Sequence, residues 1–163
     1  MHKTLLGLVA MSALAVPATA LADSNPNAVQ THQCGDGMHS LSLTGSQTLW
    51  PPNHKFRYYT VSANSNAVDT DVSLMSTVTA NELTAGPGAG GPNHADFASP
   101  NPASASNSSG GNVSTQQGLR SERDGFGSGR VYTFNVMAAW DHGLITCSAQ
   151  FTVAVPHDQR PTS

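Results

Sequence analysis

Two runs of alternating apolar and polar residues near the C-terminus give the clearest structural signal in the chain. From Arg130 onward the even-numbered positions carry one apolar set: Tyr132, Phe134, Val136, Ala138 and Trp140. After residues 141–143 the apolar set moves to the odd positions: Ile145, Cys147, Ala149, Phe151, Val153 and Val155. A period of two on both sides of a Gly-containing turn is typical of an antiparallel hairpin with one buried face. Such a hairpin needs a partner sheet, which the rest of the chain must supply.

Shorter alternating runs earlier in the chain predict further strands. They cover residues 38–44, 56–63 and 71–80. Pro51 and Pro52 cannot donate to a strand ladder, so residues 50–53 are predicted to form an extended turn. Short strands separated by Pro and Gly turns predict an all-β fold, an immunoglobulin-like antiparallel β-sandwich of about seven strands.

The remaining segments lack strand patterning. Residues 23–33 are polar and are predicted to form a flexible leader to a single sandwich domain at 34–159, with a tail at 160–163. In the stretch 85–118, 27 of the 34 residues are Ala, Gly, Pro, Ser or Asn. Such a composition offers little apolar surface to offset the entropy of ordering, so we expect a long mobile loop there.

The N-terminus resembles a secretory signal peptide. Lys3 provides a basic start, an apolar run follows, and Ala20-Leu21-Ala22 forms an A-x-A cleavage site. The apolar run is too short to span a bilayer. We therefore expect residues 1–22 to be a signal peptide and the mature protein to be secreted or periplasmic, without membrane insertion.

The charge balance narrows the range of partners. Without Lys3, six Lys or Arg residues stand against ten Asp or Glu residues. Nucleic acids and anionic membranes attract clustered basic residues, so this balance argues against both. We expect a monomer whose partner is an extracellular or envelope macromolecule.

Cys34 and Cys147 are the two cysteines of the chain. In an oxidising compartment two thiols usually pair, which favours a disulfide over free thiols or a metal pair. A bond closing so long a loop would stabilise the domain by roughly 4–5 kcal/mol on the chain-entropy model.

Three sequence blocks together resemble a known family. They are LWPPNHK at 49–55, LRSERDGFGSGRVYTF at 119–134 and AAWDHGLITCSAQFTVAVPHDQ at 138–159. They look like a bacterial secreted immunoglobulin-like domain related to the hyalin-repeat (HYR) group. The resemblance implies an immunoglobulin-like fold, an extracellular setting and a bond between the early cysteine and the one in the last strand. It implies no established activity.

Polar residues concentrate in the three sequence blocks and suggest one candidate site, a polar corner. Its predicted members are His54, Lys55, Arg120, Glu122, Arg123, Arg130, His157 and Asp158. The guanidinium groups of arginines pair well with carboxylates and loop carbonyls, so the polar corner could brace irregular backbone by satisfying its polar groups. The alternative is a ligand cleft at the same place.

Two kinds of metal site are alternatives. Calcium needs hard oxygen ligands, which Glu82, Asp96 and Asp124 could supply together with Asn81. Imidazole suits zinc or copper, and His54 with His157 and Asp158 is the best such set among the six histidines that follow residue 22. We expect no other cofactor.

The sequence indicates a binding role more than catalysis. It contains no G-x-S-x-G, H-E-x-x-H or phosphate-loop motif. Trp140 is predicted to pack in the core and Trp50 in the core or at its rim, with stacking on glycans as the alternative. We expect a non-catalytic binding, adhesion or structural module that uses residues 85–118 and the 49–55 turn as contact faces. The alternative is a small exported metal-binding protein.

Overall fold

Eight strands make up almost all of the regular structure. The computed structural model describes residues 25–82, 97–98, 100–122 and 129–157. The strands are β1 (Val29–Gln33), β2 (His39–Thr44), β3 (Phe56–Ser65), β4 (Val72–Ala80), β5 (Ala103–Asn107), β6 (Val113–Arg120), β7 (Gly129–Trp140) and β8 (Ile145–Pro156). A short 3-10 turn, Asp141–Gly143, joins β7 to β8.

The strands form two antiparallel four-stranded sheets. The first sheet has the order β1-β2-β3-β6 and the second has the order β5-β4-β7-β8. The chain changes sheets between β3 and β4, between β5 and β6, and again between β6 and β7. This arrangement confirms the predicted antiparallel β-sandwich, with eight strands where the sequence predicted about seven.

The core lies between the two sheets and contains the apolar faces predicted from the period of two. All five apolar residues of the even-numbered set on β7 are buried, and so are Phe151, Val153 and Val155 on β8. Their counterparts across the core include Leu41, Val61 and Tyr59. One polar contact also crosses the core, because the Ser76 hydroxyl of β4 donates to the Gln117 side chain of β6 at 2.6 Å.

Two segments differ from the prediction. Residues 29–33 of the predicted leader form β1, which pairs along its whole length with β2. The second half of the predicted loop at 85–118 contains β5 and most of β6. The loop prediction was wrong there because it counted apolar side chains, whereas these strands are held by backbone pairing with β4 and β3.

The predicted disulfide is present. Cys34 follows β1, Cys147 lies near the start of β8, and their sulfurs are bonded across a sequence separation of 113 residues. The bond therefore ties the first sheet to the second at the end of the sandwich where β7 turns into β8.

Several predictions fall on residues that the structure does not describe. They concern the signal peptide at 1–22, the tail at 160–163, and residues 85–96 and 99 of the predicted loop. In the part of the chain that is described, no helix is long and apolar enough to cross a membrane.

Candidate binding cleft

The turn before β3 is fixed to the end of β6. The amide of His54 donates to the carbonyl of Ser121 at 2.9 Å, and the amide of Ser121 donates to the carbonyl of Lys55 at 2.9 Å. The Ser121 hydroxyl donates to the carbonyl of Pro51 at 2.7 Å. These three bonds satisfy backbone groups of a proline-containing turn that cannot pair as a strand, and they fix the position of Trp50.

Two adjacent tyrosines on β3 point to opposite sides of the first sheet. Tyr59 faces the core, where its ring lies 5.5 Å from that of Phe134. Its hydroxyl donates to the carbonyl of Ser46 at 2.6 Å, and burial raises its pKa, so the hydroxyl keeps its proton. Successive residues of a strand alternate between faces, so Tyr58 points outward and is 65% exposed.

Gly118 explains how the Tyr58 ring can lie close to the sheet. It is paired with Tyr58 across β3 and β6. A Cβ atom on Gly118 would lie 3.0 Å from the Tyr58 ring and 2.8 Å from the Cβ of Ala98. The glycine thus leaves room for the ring beside the 97–98 segment.

A cleft of about 250 Å³ opens between the turn and the outer edge of β3. Trp50, Arg57, Tyr58 and Tyr59 line it, together with Ser46 and Thr48, whose hydroxyl and carbonyl are bonded to each other at 2.6 Å. Gly45 lines it as well, and a Cβ at this position would lie 2.3 Å from the Tyr59 ring. The arrangement presents aromatic surface, hydrogen-bonding groups and one cation at a single concave place, as small binding sites do.

Arg57 is the charged group of this cleft. Among the described residues, no carboxylate lies within salt-bridge distance of its guanidinium, whereas Arg120 and Arg130 both face a glutamate. A guanidinium on an exposed side chain can hold a planar anion with two parallel hydrogen bonds.

The predicted polar corner is an ion-paired cluster behind the turn. Glu122 is buried, with Arg120 Nε at 3.6 Å and His54 Nδ1 at 3.4 Å from one carboxylate oxygen. Arg130, also buried, has its Nε 3.7 Å from Glu82 and donates to the Tyr132 hydroxyl. These pairs support the bracing interpretation of the corner.

Other predicted site residues are only partly placed. Lys55 is exposed in the turn, and His157 follows β8. Arg123 and Asp158 of the corner, and Asp96 and Asp124 of the calcium set, lie outside the described residues. Glu82 lies beside Arg130 and accepts from the amide of Gly129. Within the described ranges, no group of three or more His, Cys, Asp or Glu side chains is arranged to hold a metal ion.

The opposite end of the sandwich, which we call the disulfide end, contains a buried histidine between two carboxylates. His39 is 1% exposed, with Nδ1 2.5 Å from Asp36 and Nε2 3.1 Å from Asp69. Its ring also packs against Trp140, at 4.5 Å between centroids. Burial alone would lower the pKa of His39, but the hydrogen bonds to Asp36 and Asp69 outweigh it and raise the pKa above 6.5.

The sequence did not single out Arg57 and Tyr58, although a signal for them exists. Two adjacent tyrosines in one strand cannot both face the core, so one of them had to be exposed. A scan against protein-family models and a search of curated proteins found no match to this chain. The candidate site therefore rests on its geometry.

We expect Glu122→Ala to lower the free energy of unfolding by about 1–3 kcal/mol, because it leaves the buried side of Arg120 without its carboxylate. Urea unfolding measures the change, with Lys55→Ala in the exposed turn as the control. Unchanged stability of Glu122→Ala would contradict the bracing role.

We expect the protein to lose stability on the alkaline side through His39. Its raised pKa means that its stabilising contribution is complete below 6.5 and is lost as the pH rises through the raised value. The pKa of Asp36 is lowered from 3.8, chiefly by the hydrogen bond with His39, so its contribution is present above 3.8 and is lost as the pH falls through the lowered value. The unfolding temperature should therefore be highest between these two limits.

The check is to follow the unfolding temperature against pH for the unaltered protein and for His39→Gln. The variant should lose the alkaline decline that depends on His39. His142→Gln, at an exposed histidine of the same end, serves as the control. An identical alkaline decline in His39→Gln would show that His39 does not cause it.

Proposed function

We propose that this protein is an exported, non-catalytic binding module and that the cleft beside Trp50 and Tyr58 is its contact surface. The observation that carries the proposal is a concave site lined by Trp50, Arg57 and Tyr58, of which Tyr58 is 65% exposed. Tryptophan, tyrosine and arginine are the residues that contribute most to binding energy at protein contact sites, and this cleft contains all three.

The way in which the cleft is built supports the same role. Its aromatic residues are positioned by the core residue Tyr59 and by backbone hydrogen bonds of the turn. A surface held by the scaffold loses little conformational entropy on binding, which favours affinity. The LWPPNHK turn predicted from the sequence as a contact face forms one wall of the cleft.

The disulfide supports export. Cys34–Cys147 joins the two sheets, and structural disulfides of this kind persist in oxidising compartments. The negative balance of charge in the sequence also favours partners other than nucleic acid.

We expect a panel of glycans, cell-wall polymers and envelope proteins to include a ligand whose affinity depends on the cleft. Trp50→Ala and Tyr58→Ala should each weaken binding by about tenfold or more, because each removes an aromatic contact. Met137→Ala is the matched control, since Met137 is 50% exposed on the outer face of the other sheet.

Thermal unfolding of each variant establishes that it is folded. Absence of binding across the whole panel would count against the proposed function. Unchanged binding in both aromatic variants would show that the contact surface lies elsewhere on the protein.

A further inference from the structure

We propose that the cleft of one molecule takes the disulfide end of a second copy of the same chain, so that the protein assembles head to tail. This inference rests on the proposed function, in which the cleft is the contact surface, and it specifies the partner. It departs from the monomer expected from the sequence. Two features of the described residues lead to it: apolar side chains exposed at the disulfide end, and charges of opposite sign at the two ends of the sandwich.

The three loops at the disulfide end are joined to one another. The amide of Asn66, in the loop between β3 and β4, donates to the carbonyl of Met38, in the loop before β2, at 3.0 Å. From the same β3–β4 loop, the amide of Thr70 donates to the Asp141 carboxylate of the β7–β8 turn at 2.7 Å. Because the β3–β4 loop is bonded to both of its neighbours, the three loops lie side by side and share one surface.

Each of these loops exposes one large apolar side chain. Leu144 in the β7–β8 turn is 86% exposed, Val68 in the β3–β4 loop is fully exposed, and Met38 before β2 is 45% exposed. None of the three belongs to the hydrophobic core. A single exposed apolar residue is ordinary on a protein surface, but three on adjoining loops are typical of a contact site.

Charges of opposite sign lie at the two ends of the sandwich. Four of the six described carboxylates are at the disulfide end, where no described Lys or Arg lies: Asp36, Asp69, Asp71 and Asp141. The opposite end, which we call the turn end because it contains the 49–55 turn, holds every described Lys and Arg: Lys55, Arg57, Arg120 and Arg130. The described part of the molecule is therefore acidic at one end and carries its cations at the other.

The surface charges favour contact between unlike ends. Two of the arginines face glutamates, so Lys55 and Arg57 are the cations that no described carboxylate neutralises. At the disulfide end, Asp71 and Asp141 have no Lys or Arg within salt-bridge distance among the described residues. Contact between unlike ends brings these cations towards these carboxylates, whereas contact between like ends brings like charges together at a cost in free energy.

The cleft lies at the turn end and suits an apolar loop tip. It has a volume of about 250 Å³ and is lined by Trp50, Arg57 and Tyr58. An apolar side chain that fills a pocket with aromatic walls is a common anchor of protein contacts. Leu144 belongs to the same turn as Asp141, so the leucine can enter the cleft of the next copy while the carboxylate meets Arg57. Each copy keeps one free end, so the contact repeats and generates a ring or a chain of molecules.

Sedimentation velocity of the full-length mature protein tests the inference. The weight-average mass should rise above that of the monomer with increasing protein concentration. Raising the salt from about 0.05 M to about 0.5 M should weaken the association, because the charges involved are exposed. Leu144→Arg at the disulfide end and Trp50→Ala at the cleft should each weaken self-association by about tenfold or more. Arg57→Gln should also weaken it and should reduce its dependence on salt.

Met137→Arg is the matched control. It introduces the same arginine at an exposed apolar residue, but on the outer face of the second sheet, and it should leave self-association unchanged. Thermal unfolding establishes that each variant is folded.

Mixing the two weakened variants distinguishes a head-to-tail contact from a symmetric one. Trp50→Ala keeps a native disulfide end, and Leu144→Arg keeps a native cleft. An equimolar mixture should therefore form a dimer of one molecule of each variant and grow no further, because the remaining cleft and the remaining disulfide end are both altered. A symmetric contact uses the same patch on both copies and would not be restored by mixing.

Three results would overturn this inference: a monomer at every concentration, self-association unchanged in Leu144→Arg, or a mixture that does not associate. Loss of self-association in Met137→Arg would overturn it as well, because it would assign the contact to the outer face of the second sheet. In each case, a panel ligand whose binding is lost in Trp50→Ala and Tyr58→Ala leaves the proposed function intact. Panel binding that ignores both aromatic variants would overturn the proposed function itself.

Discussion

The burial of Tyr59 is the constraint on which the rest of the site depends. Its ring fills the space between the sheets against Phe134, and its hydroxyl holds the carbonyl of Ser46. Because neighbouring residues of a strand face opposite ways, this burial exposes Tyr58. The same ring requires glycine at position 45, where the chain passes close to it. The packing of Tyr59 in the core thus determines that Gly45 lies at the cleft and that Tyr58 points outward.

The charged residues are divided between the two ends of the sandwich and support different parts of it. Glu122 with Arg120, and Glu82 with Arg130, brace the end where the proline turn meets β6. His39 between Asp36 and Asp69 occupies the disulfide end. Between these clusters, the outward residues of β3 from Tyr58 to Ser62 and their partners on β6 are uncharged.

The sequence predicted the fold well because the core strands are encoded locally. The period of two on β7 and β8 assigns each side chain to a face without knowledge of any partner. β1, β5 and most of β6 escaped prediction because their residues are mostly polar or small and depend on backbone pairing with distant strands. The cleft was predictable only in part. The two adjacent tyrosines of β3 indicate from the sequence that one of them is exposed. The position of the turn that contains Trp50 depends on hydrogen bonds to Ser121, 70 residues beyond Pro51.

The most direct measurement of the central claim is to map the bound ligand on the isotope-labelled protein by NMR. The ligand of the panel that binds most tightly, as a soluble fragment, is titrated while amide shifts are recorded. The account predicts that the largest shift changes fall at residues 45–50 and 57–59, which line the cleft. Changes confined to the disulfide end, or to the outer face of the second sheet around Met75 and Met137, would contradict it.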